Sequence, residues 1–389
     1  MKNARKLKNR LWDEKFQDGL QKILMIALAA ILSLVIGSFF ILSKGVNPLE
    51  AYRRLLISPY TSLGNIGEIL VKVTPVLIVA VGVAFAGKAK LTNLGGEGQL
   101  YMGALGGLLI AVSPAGKLPA PVALILGMLA GAAFGALWGG IAGLFKAKFK
   151  ANEIITSLLL NYIAVQLIGF LVHGPLREPK GLMPQSARIP SAMELPRLFK
   201  GMRAHTGILI ALFCVVVLFI VIGRTSFGYN LRVLGGSTRA AAYSGINAGS
   251  YYIRVMLLSG GFAGFAGAIE VYGVQYRLLE GMAGSYGFTG VVVALLGFMH
   301  PLGIAVAAFL MSGLTVGAEI AQVSTGVPVT LVSVLQGMIV LFVLWGLSVK
   351  RKKAVGQKAG GESVSPVEDI RLQGTESRKV EETVCLKQD

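Results

Sequence analysis

Nine stretches of the sequence run for 15 to 38 residues without Asp, Glu, Lys or Arg. A helix needs about 20 mostly apolar residues to cross the hydrocarbon core of a bilayer. Lipid offers no hydrogen bonds to an open backbone, so such segments must form helices or a closed barrel. These stretches are too long and too evenly apolar for barrel strands, and the sequence therefore predicts an all-α, polytopic membrane protein. The stretches are 23–43, 73–87, 98–116, 118–145, 154–176, 204–223, 255–269, 281–318 and 320–349.

The longest uncharged stretch, 281–318, has room for two helices. The sequence His300-Pro301-Leu302-Gly303 divides it, because proline interrupts a helix and glycine turns at little cost. This division predicts about ten membrane-spanning helices in a transmembrane domain of residues 23–348. The expected spans are 23–43, 67–87, 98–113, 119–144, 153–172, 205–223, 252–272, 284–299, 302–321 and 329–348.

Positive charge is unevenly distributed between the loops on the two sides. If the N-terminus lies inside, 25 of the 37 Lys and Arg residues lie on the inner side. Cytoplasmic loops carry the excess of positive charge, so both termini are expected in the cytoplasm. Loops and tails then account for the net charge of +18, and no nucleic-acid partner is implied.

Three segments outside the expected spans differ from the rest in composition. Residues 1–22 are basic and form the expected cytoplasmic N-terminus, and the outer loop 173–204 is rich in proline and polar residues. Residues 349–389 carry charges of both signs and are poor in aromatic residues. Such a segment buries too little apolar surface to order itself, so a disordered cytoplasmic tail is predicted.

The two shortest uncharged stretches begin two groups of four expected spans, the second to fifth and the seventh to tenth. Each stretch is followed by a glycine-rich polar turn, at 92–99 and at 281–287. The two groups start in opposite directions, so they would form an inverted repeat. Short, glycine-interrupted segments at matching positions of inverted halves indicate the binding region of a transporter. The alternative is that glycine-rich membrane helices resemble one another by composition.

The turn from Asn93 to Gln99 is the sharpest local signal. Its glycines permit backbone turns that larger side chains would block, and Glu97 then stands at the start of an expected span. Ionisable groups at membrane depth usually face protein or water. Asn93, Glu97 and Gln99 are therefore candidates for lining a substrate pathway or for fastening a broken helix. Alternatively, Glu97 caps a helix N-terminus, where its charge suits the helix dipole.

Polar residues also occur within the expected span 153–172. Asn152 is a plausible N-cap for it. Asn161 follows Ser157 by four residues, so the two share a helix face, and Gln166 lies further along the same span. Asn161 and Gln166 are candidates for the substrate pathway, and hydrogen bonding between helices is the alternative.

No catalytic or metal-binding pattern is legible in the sequence. His173, His205 and His300 are isolated, and Cys214 and Cys385 have no neighbour at metal spacing, so neither a metal site nor a disulfide is expected. There is also no Gly-x-x-x-x-Gly-Lys-Ser/Thr sequence. If ATP drives this protein, another subunit must bind the nucleotide.

Acidic residues separate two modes of transport. A secondary transporter driven by protons or sodium ions would place carboxylates in mid-span, where intramembrane charges mark ion pathways. Here Glu97 and Glu270 lie near expected span ends. Glu270, with Gln275, Glu280 and Glu319, is expected to reach the outer interface. The ion-driven reading remains the alternative.

The longest inner loop, 224–251, contains a candidate surface helix. Ser237 is a plausible N-cap, Ala240 to Ala242 favour a helix, and Gly245 is a plausible stop. A two-turn helix flanked by glycines suits a groove in a partner protein. The alternative is an amphipathic connector that lies on the lipid surface.

Three motifs in order resemble the permease subunits of ABC importers in the ribose and branched-chain amino acid superfamily, particularly its nucleoside and simple-sugar branch. Residues 93–99 resemble that branch's Asn-Ile-Gly-x-Glu-Gly-Gln. Residues 152–162 resemble its Asn-Glu-Val-Ile…Leu-Asn-Tyr element. Residues 235–246 are similar to the family's Gly-x-Asn-x-x-Ala-Ala-x-x-x-Gly-Ile coupling loop, with Ser237 where asparagine is usual. The resemblance extends from about residue 20 to 348, and the tail lies outside it.

The resemblance implies a transport subunit without enzymatic activity. Two permeases, identical or paralogous, would form the pathway, and cytosolic ABC ATPase subunits that bind ATP with Mg²⁺ would dock on the coupling loops. An extracytoplasmic binding protein, often a lipoprotein, would deliver the ligand. The resemblance favours nucleosides over simple sugars as the substrate class. The coupling residues carried over by position are Gly236, Ser237, Arg239, Ala240, Ala241, Gly245 and Ile246.

Overall fold

The computed structural model describes residues 28, 31–43, 45–179, 181, 183–331, 333–334 and 337–338. The segments 1–22 and 349–389 and much of the expected span 329–348 lie outside these residues. The chain divides into two units, Gly37–Val334 and the two terminal parts together, and the account of packing below concerns Gly37–Val334. Its described residues are mainly helical, and their β-structure consists of isolated bridges.

Six helices within the described residues are long and apolar enough to cross a membrane. The other apolar elements, α1, α4 and α11, are shorter, and α2, α8 and α9 are connecting helices. The helices are α1 (Ile31–Leu42), α2 (Pro48–Leu56), α3 (Leu63–Lys88), α4 (Gly96–Val112), α5 (Ala120–Phe149), α6 (Glu153–His173), α7 (Gly207–Arg224), α8 (Ser226–Gly236), α9 (Thr238–Tyr243), α10 (Ala248–Glu270), α11 (Tyr286–Leu296) and α12 (Pro301–Thr325).

The boundaries of α3 to α7 and of α10 to α12 follow eight of the ten expected spans closely. The divide within 281–318 is confirmed, because α11 ends at Leu296 and α12 begins at Pro301. Asn152 caps α6, since its side chain accepts a hydrogen bond from the Ile154 N–H at 2.9 Å. The helix α8 was not predicted. It begins where the Thr225 hydroxyl accepts from the Gly228 N–H at 3.1 Å, a capping signal at Thr225-Ser226 that the sequence carries.

Two long helices occupy the centre of the fold. α3 is buried along most of its length and contacts α7, α10, α11 and α12, and α10 is buried against α3, α4 and α5. α5, α6 and α7 instead expose large apolar side chains, among them Leu137, Leu159 and Phe213. A helix that is apolar all round but exposed on one side is suited to contact with lipid.

Glycines allow α10 to pack closely against α4 and α5. A Cβ atom added at Gly264 would clash with backbone atoms of Gly131 and Gly135 on α5, and one added at Gly103 on α4 would clash with Gly264. Without a hydrophobic force between helices in lipid, small residues that let backbones approach supply the packing energy. The abundance of glycine in this sequence thus holds its central helices together.

Candidate functional site

A buried hydrogen-bond network surrounds the turn that leads from α3 into α4. The Asn93 side-chain amide donates to Gln99 Oε1 at 2.9 Å and to Ser259 Oγ of α10 at 2.8 Å. Its Oδ1 accepts from the Gly95 N–H at 2.8 Å and from Gln99 Nε2 at 3.1 Å. Asn93 and Gln99 are each only 1% exposed. Both amides therefore have their polar atoms bonded within the protein.

α6 fastens the same turn from the other side. Asn161 Nδ2 donates to the Leu94 carbonyl oxygen at 2.7 Å, and Asn161 Oδ1 accepts from the Gly98 N–H at 2.8 Å. The Ser157 hydroxyl accepts from the Leu94 N–H at 3.2 Å. The expected shared face of Ser157 and Asn161 is confirmed, and it satisfies the backbone groups of an irregular turn, as a low-dielectric interior requires.

Glu97 joins the first turns of two helices. It belongs to the first turn of α4, and its carboxylate accepts from the Gly287 N–H of α11 at 2.9 Å, with the N–H groups of Ser285 and Phe288 close by. α11 has no side-chain cap of its own. Glu97 is thus a helix cap, but for α11 and not for its own helix. The contact is close, because a Cβ atom at Gly287 would clash with the Glu97 backbone.

The structure brings the two glycine-rich turns of the sequence together at this point. Gly96 of the first turn lies against Gly287 of the second. Asn93, Glu97, Gln99 and Asn161 belong to this cluster. Gln166 does not, because it lies on the exposed side of α6 while Asn161 is 4% exposed.

The expected surface helix is present as α9. The Ser237 hydroxyl caps it by accepting from the Ala240 N–H at 3.3 Å, so serine performs the cap at the position where asparagine is usual. Gly245 ends the helix with a positive φ of 74°. Arg239 and Ala240 are exposed, and Tyr243 is 94% exposed. α9 therefore offers an open face that ends in an aromatic ring.

The opposite face of α9 holds the loop against the body of the fold. Ala241 is fully buried and Ile246 is 8% exposed. Beside them, Gly235 of α8 packs on the Lys88 carbonyl at the end of α3, and Lys90 Nζ donates to the Gly236 carbonyl oxygen at 3.5 Å. Residues 88–93 connect this contact directly to the Asn93 turn.

One acidic residue lies elsewhere than the sequence suggested. Glu270 was expected to reach the outer interface, but it is 1% exposed. Burial depends on the helices that surround α10, and nothing in the local sequence around Glu270 reports it. Among the described residues, no group of three His, Cys, Asp or Glu side chains is placed to hold a metal ion.

Comparison with known proteins defines the class. Residues 65–344 match the family described as branched-chain amino acid transport system, permease component. The chain is 35% identical to the glucose ABC transporter permease protein TsgB13 of Haloferax volcanii over 83% of this chain and 87% of that one. It is 32% identical to the guanosine ABC transporter permease protein NupP of Bacillus subtilis, over 83% and 93% of the two chains. With the nucleoside ABC transporter permease protein NupB of Lactococcus lactis it shares 29% identity over 83% and 91%.

The chain belongs to this family of ABC transporter permeases. It is a multi-pass protein of the prokaryotic inner membrane and a transport subunit, not an enzyme. Membership implies an ATPase partner and a substrate-binding protein. The comparisons therefore favour ATP-driven transport over the ion-driven alternative.

Proposed function

We propose that this permease carries nucleosides or simple sugars into the cell. The support for the substrate class is that the relatives at 29 to 35% identity are named for guanosine, nucleosides and glucose. The same proposal includes ten membrane spans and both termini in the cytoplasm, with the basic segment 1–22 at one end and the tail 349–389 at the other. It also includes a second permease, identical or paralogous, in the surrounding lipid.

Transport is driven by ATP with Mg²⁺ bound to the partner ATPase, which docks on the loop 237–246. ATP binding draws the two ATPase subunits together, and their different affinity for the two permease states shifts the permease between them. This shift moves two inverted groups of helices between the two permease states. Spans two to five form one group, and spans seven to ten form the other. Asn93, Glu97, Gln99 and Asn161 hold the broken turn beside the pathway, and Gln166 faces away from them.

The observation that carries this mechanism is the connection between α9 and the Asn93 turn. α9 combines an exposed face at Arg239 and Tyr243 with a buried anchor at Ala241. Its neighbour α8 packs on the end of α3, five residues before Asn93. A displacement of α9 by the docked ATPase is therefore transmitted to the buried network around Asn93 through the short, packed segment 88–93.

Charge reversal on the exposed face tests the docking surface. Arg239→Glu should leave membrane insertion intact and lower guanosine or glucose uptake at least about tenfold, as the loss of a charged interface contact does. Ala241→Asp is not a test of docking, because it buries a charge beneath α9. Arg197→Glu, at an exposed residue of the loop 173–204, is the matched control.

The assay is uptake by proteoliposomes that contain the permease, its ATPase and its binding protein. Wild-type uptake by Arg239→Glu would remove α9 from the mechanism. Collapsing the ion gradients while ATP is kept should leave uptake unchanged. Loss of uptake under that condition would support the alternative, a transporter driven by protons or sodium ions.

A further inference from the structure

The carboxylate of Glu270 is buried with one oxygen unsatisfied. Its Oε1 accepts from Gln275 Nε2 at 3.0 Å, and its Oε2 has no hydrogen-bond partner among the described residues. Leaving a buried polar atom without a hydrogen-bond partner is costly, and such a group in a native structure calls for an explanation. A ligand group that donates to Oε2 would supply one.

A local distortion of α10 holds Glu270 in place. Residues Val271–Gln275 form a π-turn, in which the Tyr276 N–H bonds to the Val271 carbonyl at 2.8 Å. The wider turn brings Gln275, five residues further on, back to the Glu270 carboxylate. π-turns within helices occur frequently at functional sites, and this one positions the residue that aligns Glu270.

Two ion pairs, contributed by α3, α12 and the segment before α7, lie near Glu270. Lys72 of α3 pairs with Glu319 of α12 at 2.8 Å, and Arg203 pairs with Glu68 at 3.2 Å. The Glu319 side chain is 51% exposed and that of Lys72 is 17% exposed. Lys72 and Arg203 both lie within electrostatic range of Glu270. These four residues form a polar track whose side chains are 17% to 58% exposed, and the two cations of the track lie near the buried carboxylate.

Tyr286, in the first turn of α11, lies beside this track. It is within electrostatic range of Glu270, Glu319, Arg203 and Glu68. Its helix is the one whose first turn Glu97 caps. The track therefore adjoins the junction of the two glycine-rich turns.

The track lies at the end of the helix bundle that is far from α9. Lys72 precedes Lys88, the residue that contacts α8, by 16 positions, which is about 24 Å along α3. If the partner ATPase docks on α9 from the cytoplasm, the track lies on the side where the binding protein delivers its ligand.

We propose that Glu270 is a substrate-recognition residue of the pathway. In this proposal its Oε2 accepts a hydrogen bond from a hydroxyl group of a neutral polyol. This inference rests on the proposed function, in which the ligand is a nucleoside or a sugar. A carboxylate forms strong, short hydrogen bonds with hydroxyl donors. A site built in this way discriminates against analogues that lack the hydroxyl.

Uptake by proteoliposomes that contain permease, ATPase and binding protein tests this inference. The probes are guanosine and glucose, each compared with its deoxy analogues at concentrations that saturate the binding protein, so that the maximal rate reports the permease. Glu270→Gln should lower the preference for the parent compound over at least one deoxy analogue by about threefold or more. Glu194→Gln, which changes an ion-paired carboxylate of the loop 173–204, is the matched control and should leave the preference unchanged.

A change of preference below threefold would overturn the inference, even if both rates fall, because a purely structural role lowers both rates alike. If Glu270→Gln fails to assemble with the ATPase, Glu270→Asp keeps the charge at a shorter reach and is judged by the same threshold. Wild-type protein that takes up neither guanosine nor glucose would overturn the proposed function itself. Wild-type uptake with an unchanged preference in the variant would overturn the role of Glu270 alone.

Discussion

A substitution of Asn161 distinguishes two roles for this side chain, stabilising the fold and lining the substrate pathway. Its side chain satisfies the Leu94 carbonyl and the Gly98 N–H in a buried turn. Asn161→Leu keeps the approximate volume and removes both hydrogen bonds. Each buried group left without a partner costs about 1–3 kcal/mol, so the expected loss of stability is about 2–6 kcal/mol.

The expected loss is measurable as a fall in Tm of the detergent-solubilised protein. For a chain of 389 residues, an unfolding entropy of roughly 2 cal/mol/K per residue converts this loss to a fall in Tm of about 3–8 °C. Gln166→Leu makes the same chemical change on the exposed side of the same helix, where the structure gives the amide no partner among the described residues. That control should shift Tm by no more than about 1 °C.

Two results together would contradict a structural role for Asn161. If Asn161→Leu and Gln166→Leu have the same Tm as the wild type, the network around Asn93 does not hold the turn. If Asn161→Leu then also loses uptake, the side chain contacts the substrate, and the hydrogen bonds to Leu94 and Gly98 are incidental to its function.

Three further predictions concern packing, pH and the cap of α9. Gly264→Ala should abolish folded protein on size-exclusion chromatography, because its Cβ clashes with backbone, whereas Gly223→Ala, with nothing within 4 Å, should be tolerated. Burial lowers the pKa of His205 to about 4, so the unfolded chain binds the proton first and stability falls by about 2 kcal/mol between pH 6.5 and pH 5; thermal melts of His205→Asn should lose this pH dependence. Ser237→Ala should cost about 1 kcal/mol of helix stability and weaken ATPase binding in pull-down assays, while Ser237→Asn should preserve it.

The long apolar helices of the described residues were predictable because hydropathy largely decides which segments enter lipid. The caps at Asn152 and Ser237 were predictable for a similar reason, since a cap bonds to a backbone group two or three residues away. The separation of Gln166 from Asn161 was also available in the sequence. Five residues turn a helix by about 500°, which places the two side chains about 140° apart.

Other features depend on contacts that the sequence does not report. Glu97 caps a helix that begins almost 190 residues later. Glu270 is buried at the end of α10, a helix that packs against α3, α4 and α5. Both carboxylates lie close to the ends of uncharged stretches, where an interfacial position explains them equally well. The distinction between exposure and burial arises only when distant helices pack.

The contact between Glu97 and Gly287 bears on the proposed inverted repeat. In both halves a long helix, α3 or α10, leads through a glycine-rich turn into a short helix, α4 or α11. Their N-termini meet, although two helix dipoles in this arrangement repel each other. An inverted repeat brings equivalent helix starts together at its pseudo-two-fold axis, whereas similarity of composition gives no reason for the two turns to touch. The Glu97 carboxylate lies at this junction and offsets the repulsion, which gives a physical reason for a buried acidic residue at this position.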